Sequence, residues 1–169
     1  MIVWLNGTFG AGKTTTAREL AELLPGARLF DPEIVGYMLR HYITEPVHDF
    51  QDWPAWRALV PATAVQLLRH YGGPLVAPMT LLRREYAAEI FGSLAAEGVP
   101  VRHFLLHADH DELVRRIESD TVETGARQWR LDHLTPYREA RPWLDAEAEV
   151  IDTTSLPPAE VAKHLATRL

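Results

Sequence analysis

Residues Gly7 to Thr14 read GTFGAGKT and follow directly on the apolar run IVWL (Ile2 to Leu5). The octet fits G-x-x-x-x-G-K-[ST], and it lies where that pattern has a mechanism, between a buried strand and the start of a helix. Glycines let the backbone curl so that successive N–H groups point inward at a positive helix end, which makes an anion nest that side chains would only obstruct. The backbone from Gly7 through Thr8, Phe9, Gly10, Ala11 and Gly12 is therefore expected to cradle phosphates. Lys13 is expected to reach the β- and γ-phosphates of ATP, Thr14 to place its hydroxyl on Mg²⁺, and Thr15 to touch the α-phosphate. The bland alternative is a glycine-rich turn with no ligand, and the strand-before, helix-after context weighs against it.

The rest of the chain reads as the fold such a loop needs. ARLF (Ala27 to Phe30), PLVAP (Pro74 to Pro78), VRHFLLH (Val101 to His107) and EVID (Glu149 to Asp152) have the length and composition of buried strands. Between them, Ala17, Leu20, Ala21 and Leu24 recur at helical spacing and stop at Pro25-Gly26. A second helix with Leu67, Leu68 and Tyr71 stops at Gly72-Gly73-Pro74, and a third with Tyr86, Ile90 and Leu94 stops before Gly98. Strands alternating with helices predict an α/β protein with a parallel sheet covered on both faces. No repeat, linker or low-complexity segment interrupts the 169 residues, so one domain over 1–169 is expected.

Composition narrows the partners. The formal net charge is −6, so a broad electrostatic grip on nucleic acid is not expected and any phosphate must be held locally. There is no cysteine, which removes thiolate metal sites and thiol nucleophiles and fits a reducing compartment. The start MIVWLNG carries no basic leader, and no apolar stretch is long enough to span a bilayer, so a soluble cytoplasmic protein without a transmembrane segment is expected. The eight histidines show no H-E-x-x-H-type spacing, and Mg²⁺ prefers oxygen ligands, so a histidine metal site is not expected.

A phosphate cradle is shared by kinases, GTPases and motors. No N-K-x-D-like element follows, which argues against guanine recognition. The third strand ends in APMT (Ala77 to Thr80) without a carboxylate, which argues against the usual ATP hydrolase and AAA-type motor. The second strand, by contrast, runs into Asp31-Pro32-Glu33. Ligands of doubly wound sheets sit at the carboxyl ends of the strands, so Asp31 is expected to face the phosphate loop. There it can take a proton from a substrate hydroxyl or help hold Mg²⁺, and it can also cap the helix that follows. Glu33 reads as a first-turn acid or a secondary substrate contact.

The segments IVWLNGTFGAGKTTTA, FDPEIVGYMLR, DFQDWPAWRALV, VAPMT and EYAAEIFGSLAAEGVPVRHFLL together resemble the tunicamycin-resistance protein family, P-loop proteins related to small-molecule and nucleotide kinases. The resemblance covers about the first two thirds of the chain. It implies a nucleotide-kinase-like sheet of five parallel strands in the order 2-3-1-4-5, ATP as the bound nucleotide, and protection against a uridine-containing nucleoside antibiotic. Protection can come from a phosphotransferase, which modifies a hydroxyl of the drug, or from a protein that only sequesters it. A nucleoside or nucleotide kinase is a further alternative.

A substrate pocket follows from residue types. Trp53 and Trp56 in DWPAWR are one helical turn apart and can share an aromatic face, with Arg57 beside them for a carbonyl or phosphate. The competing reading places both indoles in the core. Tyr37, Met38 and Arg40 are expected on the opposite wall, and Met79 and Thr80 at the ligand edge of the third strand. Arg83 and Arg84 either bind a substrate phosphate or solvate a helix start. The charged stretch at about 110–145 resembles a lid. In it Asp109 and Glu112 form a capping box by pattern. Arg115 or Arg116, with Arg116 preferred, is placed by the resemblance to stack on adenine. Arg127 and Arg130 are expected to swing onto the transferring phosphoryl group, or else to pair with Glu118, Asp120 and Glu123. Asp152-Thr153-Thr154 is expected to border the adenine. The oligomeric state is not legible.

Overall fold

The computed structural model describes residues 1–121 and 124–169. Among them, β1 (Ile2–Asn6), β2 (Arg28–Leu29), β3 (Leu75–Pro78), β4 (Val101–His107) and β5 (Glu149–Asp152) form a parallel sheet in the order β2-β3-β1-β4-β5. This is the order the resemblance implied. The helices are α1 (Lys13–Leu23), α2 (Glu33–Leu39), α3 (Pro54–Tyr71), α4 (Arg84–Ala96), α5 (His110–Ser119), α6 (Arg127–Asp132), α7 (Leu134–Glu147) and α8 (Pro158–Ala166).

The central strand explains the layering. All five residues of β1 are buried, because β1 pairs on one side with β3 (Trp4 opposite Ala77) and on the other with β4 (Trp4 opposite His103) and is covered above and below. Successive side chains alternate between two cores. Ile2 and Trp4 pack with Trp56, Val60, Ile90 and Leu94 of α3 and α4. Val3 and Leu5 pack with Ala17, Leu20 and residues of α5, α7 and α8. The edge strand β2 is shorter than ARLF suggests, two exposed residues, although the Phe30 N–H still donates to Val76 O at 2.9 Å. With a neighbour on one side only, β2 needs few ladder bonds to do its job, which is to deliver Asp31 to the carboxyl edge of the sheet.

The expected aromatic wall is corrected here. Trp56 is fully buried, and Trp53 is 8% exposed. The Trp56 indole N–H donates to Pro32 O at 3.0 Å, and its ring lies 5.4 Å from that of Phe50. Met79 is likewise in the core, 3% exposed. The core reading of the two indoles is the one the packing supports. Indoles at this spacing share a face, but that face is turned inward because α3 must cover the sheet.

Trp56 fastens α3 to the loop between β2 and α2 as well as filling the core. Trp56→Ala should lower stability by about 3–5 kcal/mol, read from urea denaturation. Trp56→Phe retains the ring volume but strands the Pro32 carbonyl, and should lower it by about 1–2 kcal/mol. A Trp56→Ala protein as stable as the parent would contradict the packing role.

Candidate functional site: the carboxyl edge of the sheet

The phosphate loop has the backbone that its glycines permit. Gly10 and Gly12 adopt φ of 79° and 86°, left-handed values that L side chains rarely take. A Cβ on Gly7 would lie 2.5 Å from Leu106 O. α1 starts at Lys13, and among the described residues the N–H groups of Gly12, Lys13, Thr14 and Thr15 have no backbone acceptor, the first ladder bond being Thr16 N–H to Gly12 O at 2.9 Å. A run of unpaired donors at a helix start with a lysine beside it fits a polyphosphate. Lys13 Nζ donates to Thr8 O at 2.9 Å. Burial lowers its pKa to about 8, with the nearby Glu33 carboxylate opposing and the Arg130 guanidinium assisting the shift. Lys13, Glu33 and Arg130 therefore share one electrostatic neighbourhood. Thr14 and Thr15 are exposed at the mouth of the loop, and Thr8 is buried with Oγ1 unpartnered among the described residues.

A residue that the motif does not single out holds this loop in place. Asn6 is fully buried, and all four of its hydrogen-bonding positions are used. Oδ1 accepts from Gly7 N at 2.8 Å and from Leu81 N at 2.9 Å, while Nδ2 donates to Leu81 O at 2.9 Å and to His103 Nε2 at 3.2 Å. That pattern assigns the His103 proton to Nδ1, which donates to Glu147 O at 3.2 Å. Burial lowers the His103 pKa to about 4, so the ring stays neutral and able to accept. The segment after β3 is pinned residue by residue. Trp4 Nε1 donates to Met79 O, Gln51 Nε2 to Thr80 O and Trp143 Nε1 to Leu82 O, at 3.0–3.1 Å. Thr80, expected as a substrate contact, spends its hydroxyl on Gly7 O at 2.7 Å, which joins β3 to the phosphate loop.

Asp31 lies at the carboxyl end of β2. Its Oδ1 accepts from Glu33 N at 2.9 Å, the capping role, and Oδ2 makes no hydrogen bond among the described residues. Glu33 accepts from Tyr37 OH at 3.1 Å. Arg40 lies 5.8 Å from the Tyr37 ring and 5.6 Å from that of Phe50. Tyr37, Met38 and Arg40 are exposed on α2. A Cβ on Gly36 would meet Phe50 at 2.7 Å, which explains the glycine of DPEIVG. Arg57 is not open to a ligand as expected. Its side chain is 11% exposed, bonded to Glu89 and to Gln51 O at 2.6 Å each, and stacked 4.2 Å from the Tyr86 ring. Arg83 pairs with Tyr86 OH at 2.8 Å, and Arg84 with Glu147 at 2.6 Å.

On the other flank, Arg116 ties three elements together. It donates to Gly10 O at 3.2 Å, to Thr153 O at 2.6 Å and to Glu112 at 2.6 Å. The Asp109–Glu112 capping box does not form, since Asp109 makes no side-chain cap bond. Arg115 and Arg116 claim the Glu112 carboxylate instead and lower its pKa to about 2. The stretch expected as a lid is partly core. Leu113, Ile117, Leu134, Tyr137, Ala140 and Leu144 are buried, and α6 alone buries nothing. On α6, Arg127 is exposed, while Arg130 pairs with Asp120 at 2.6 Å and lies 5.8 Å from the Phe9 ring. Glu123 lies outside the described residues. His107 lies 2.9 Å from Tyr137 OH. Among the described residues, no helix is long and apolar enough to cross a membrane.

The geometry can be set beside known proteins. No curated protein sequence matches. A family model described as an AAA domain matches residues 2–130, although β3 here ends without the carboxylate whose absence argued against an AAA-type motor. The Deinococcus radiodurans tunicamycin resistance protein is 30% identical, with a TM-score of 0.74 over 99% of this chain and 94% of that one. The fold is also that of the Mycobacterium tuberculosis APS kinase solved with AMPPNP and APS (17% identity, TM-score 0.69, 98% of this chain and 95% of that one). Shikimate kinase from Acinetobacter baumannii solved with shikimate shares it too (18%, 0.62, 99% and 91%). A phosphate loop on a sheet of order 2-3-1-4-5, and 30% identity over nearly the whole of both chains, place the protein in the tunicamycin-resistance family of P-loop proteins.

Proposed function

We propose that the protein is a Mg-ATP-dependent phosphotransferase that acts on a hydroxyl of a small molecule, a nucleoside antibiotic of the tunicamycin type, and so confers resistance. The observation that carries this reading is the convergence of Lys13, Glu33 and Arg130 in one electrostatic neighbourhood beside Asp31, whose second carboxylate oxygen is uncommitted. Thr14 and Asp31 would hold Mg²⁺, which supplies charge neutralisation on the phosphates. The N–H groups at the start of α1 and the Lys13 ammonium bind the polyphosphate. Asp31 Oδ2 receives the proton of the acceptor hydroxyl as the hydroxyl oxygen takes the γ-phosphoryl group of ATP and ADP leaves with the bridging oxygen. Arg130, with Arg127 from the same short helix, offsets the charge spread over the transferring group. Tyr37, Arg40 and Glu33 form the acceptor wall, and Arg116 borders the adenine.

Lys13 makes a pH-dependent prediction. Its pKa in the free protein is lowered to about 8 by burial, and only the ammonium form attracts phosphate, so binding draws a proton from solution once the pH rises past that value. Affinity for a non-hydrolysable ATP analogue should therefore fall about 10-fold between pH 7 and pH 9, with proton uptake visible by calorimetry in buffers of different ionisation heat. Lys13→Ala should bind weakly and lose the pH dependence. Tight binding by Lys13→Ala would contradict the assignment.

Asp31→Asn keeps the cap on Glu33 N but removes the proton acceptor. Turnover should fall about 10²- to 10⁴-fold with affinities little changed. If Asp31 acts mainly through Mg²⁺, excess metal restores part of the rate. A variant that transfers nothing yet protects cells fully would leave sequestration as the function.

A further inference from the structure

The indoles that the sequence offers as a ligand platform are buried, and a different aromatic group stands at the mouth of the phosphate loop. Of the five tryptophans, Trp4, Trp53 and Trp56 are buried, Trp143 is half-buried, and Trp129 on α6 is 41% exposed. α6 has no fully buried residue, only its Leu131 packs against a core, and Trp129 belongs to neither core, so the fold does not require an indole there. The ring is nevertheless held in place. It lies 4.8 Å from the Phe9 ring and 4.1 Å from that of His133, whose own ring is 5.3 Å from Phe9. The His133 Nδ1–H donates to Trp129 O at 2.6 Å, which fixes the turn that carries both.

Phe9 connects this group to the phosphate chemistry. Its ring lies 5.5 Å from Lys13 Nζ and 5.8 Å from the Arg130 guanidinium, so the Trp129 ring centre is within about 10 Å of the lysine that binds phosphate. On the loop between α2 and α3, Asp49 Oδ1 accepts from Gln51 N at 2.9 Å. The same loop carries Gln51, which bonds Thr80 O, and Phe50, which packs on α2. An exposed indole and two cations, Lys13 and the Asp120-paired Arg130, therefore cluster around the Phe9 ring of the phosphate loop. Arg116 joins Gly10 O to Thr153 O where α5 meets the end of β5, and that contact is the one left for adenine.

We infer that Trp129, backed by Phe9 and His133, is the stacking platform for a planar heteroaromatic ring of the acceptor. A flat π-face suits a uracil-like ring and makes little distinction among sugars attached to it. The inference rests on the phosphotransferase reading for the word acceptor, but the binding it describes is measurable without turnover.

The test uses the full chain and two probes, uridine and a non-hydrolysable ATP analogue with Mg²⁺, followed by calorimetry and by quenching of tryptophan fluorescence. Trp129→Leu should weaken uridine binding about 10-fold, the order of one lost base–aromatic stack, and abolish most of the quenching. Trp129→Phe should retain binding within about threefold, and both should bind the ATP analogue as the parent does, with unchanged melting temperatures. Loss of ATP-analogue affinity in Trp129→Leu with uridine unaffected would assign the platform to the donor nucleotide and overturn the inference. Equal uridine affinity in parent and Trp129→Leu, or no uridine binding by a parent that binds the analogue, would overturn it as well. Failure of the phosphotransferase reading has a different signature: normal binding of both probes, sensitivity to Trp129, and no transfer.

Discussion

The site depends on one buried carboxamide. Asn6 ends the central strand at the point where the chain leaves the sheet to wrap phosphate, and its four hydrogen bonds hold the entry to that loop, both backbone groups of Leu81 and the ring of His103. A primary amide offers two donor and two acceptor positions, and here none is wasted. Leaving one such group unpaired in the interior costs on the order of 1–3 kcal/mol, so the arrangement is tightly specified. Through Asn6 the exits of β1 and β3 are fixed relative to each other and to the middle of β4. The Thr80 hydroxyl on Gly7 O and the Gln51 amide on Thr80 O carry the same rigidity out to the loop beyond α2. A loop that must present backbone N–H groups to a polyphosphate gains from such support, because preorganised donors need no rearrangement when charge develops.

The fold was largely legible because its signals are local. Short apolar runs located β1, β4 and β5 nearly to the residue, and GTFGAGKT located the start of α1. β2 was overestimated, since apolar composition does not say how far an edge strand is paired. The phosphate side of the site was legible for the same reason, in that glycines and lysine at fixed offsets encode backbone geometry directly. The acceptor side was not. DWPAWR has the spacing of a shared aromatic face, but spacing does not reveal which way a face turns. Tertiary packing turned Trp53, Trp56 and Met79 inward, and Arg57 became a brace between Gln51 O and Glu89. Asn6, Gln51, Asp49 and His103 carried no motif, because their partners are backbone atoms and rings from 29 to 97 residues away in sequence or turns two residues on. The one signal that pointed to Trp129 was an aromatic residue in an otherwise charged stretch, and it is weak without the contact to Phe9.

These corrections give the quoted segments a coherent role. DFQDWPAWR fastens rather than binds. Trp56 holds Pro32 O, Gln51 holds Thr80 O, Asp52 accepts from Tyr86 OH, and Arg57 clamps the turn. With those bonds made, Asp31 and the mouth of the phosphate loop are set on rigid supports. α6, which reaches the core only through the half-buried Leu131, carries Trp129, Arg127 and Arg130. Rigid support for the phosphate loop beside a superficial α6 suits the proposed reaction, in which a nucleotide is held before a second molecule is enclosed.

The proposed chemistry is tested most directly by incubating the full-length protein with Mg-ATP and tunicamycin and weighing the antibiotic by mass spectrometry, with ADP measured in the same samples. The account predicts drug heavier by one phosphate and one ADP formed for each molecule modified, with neither product from the Asp31→Asn protein. Drug recovered unmodified from a protein that binds it stoichiometrically, with ATP unconsumed, would contradict it.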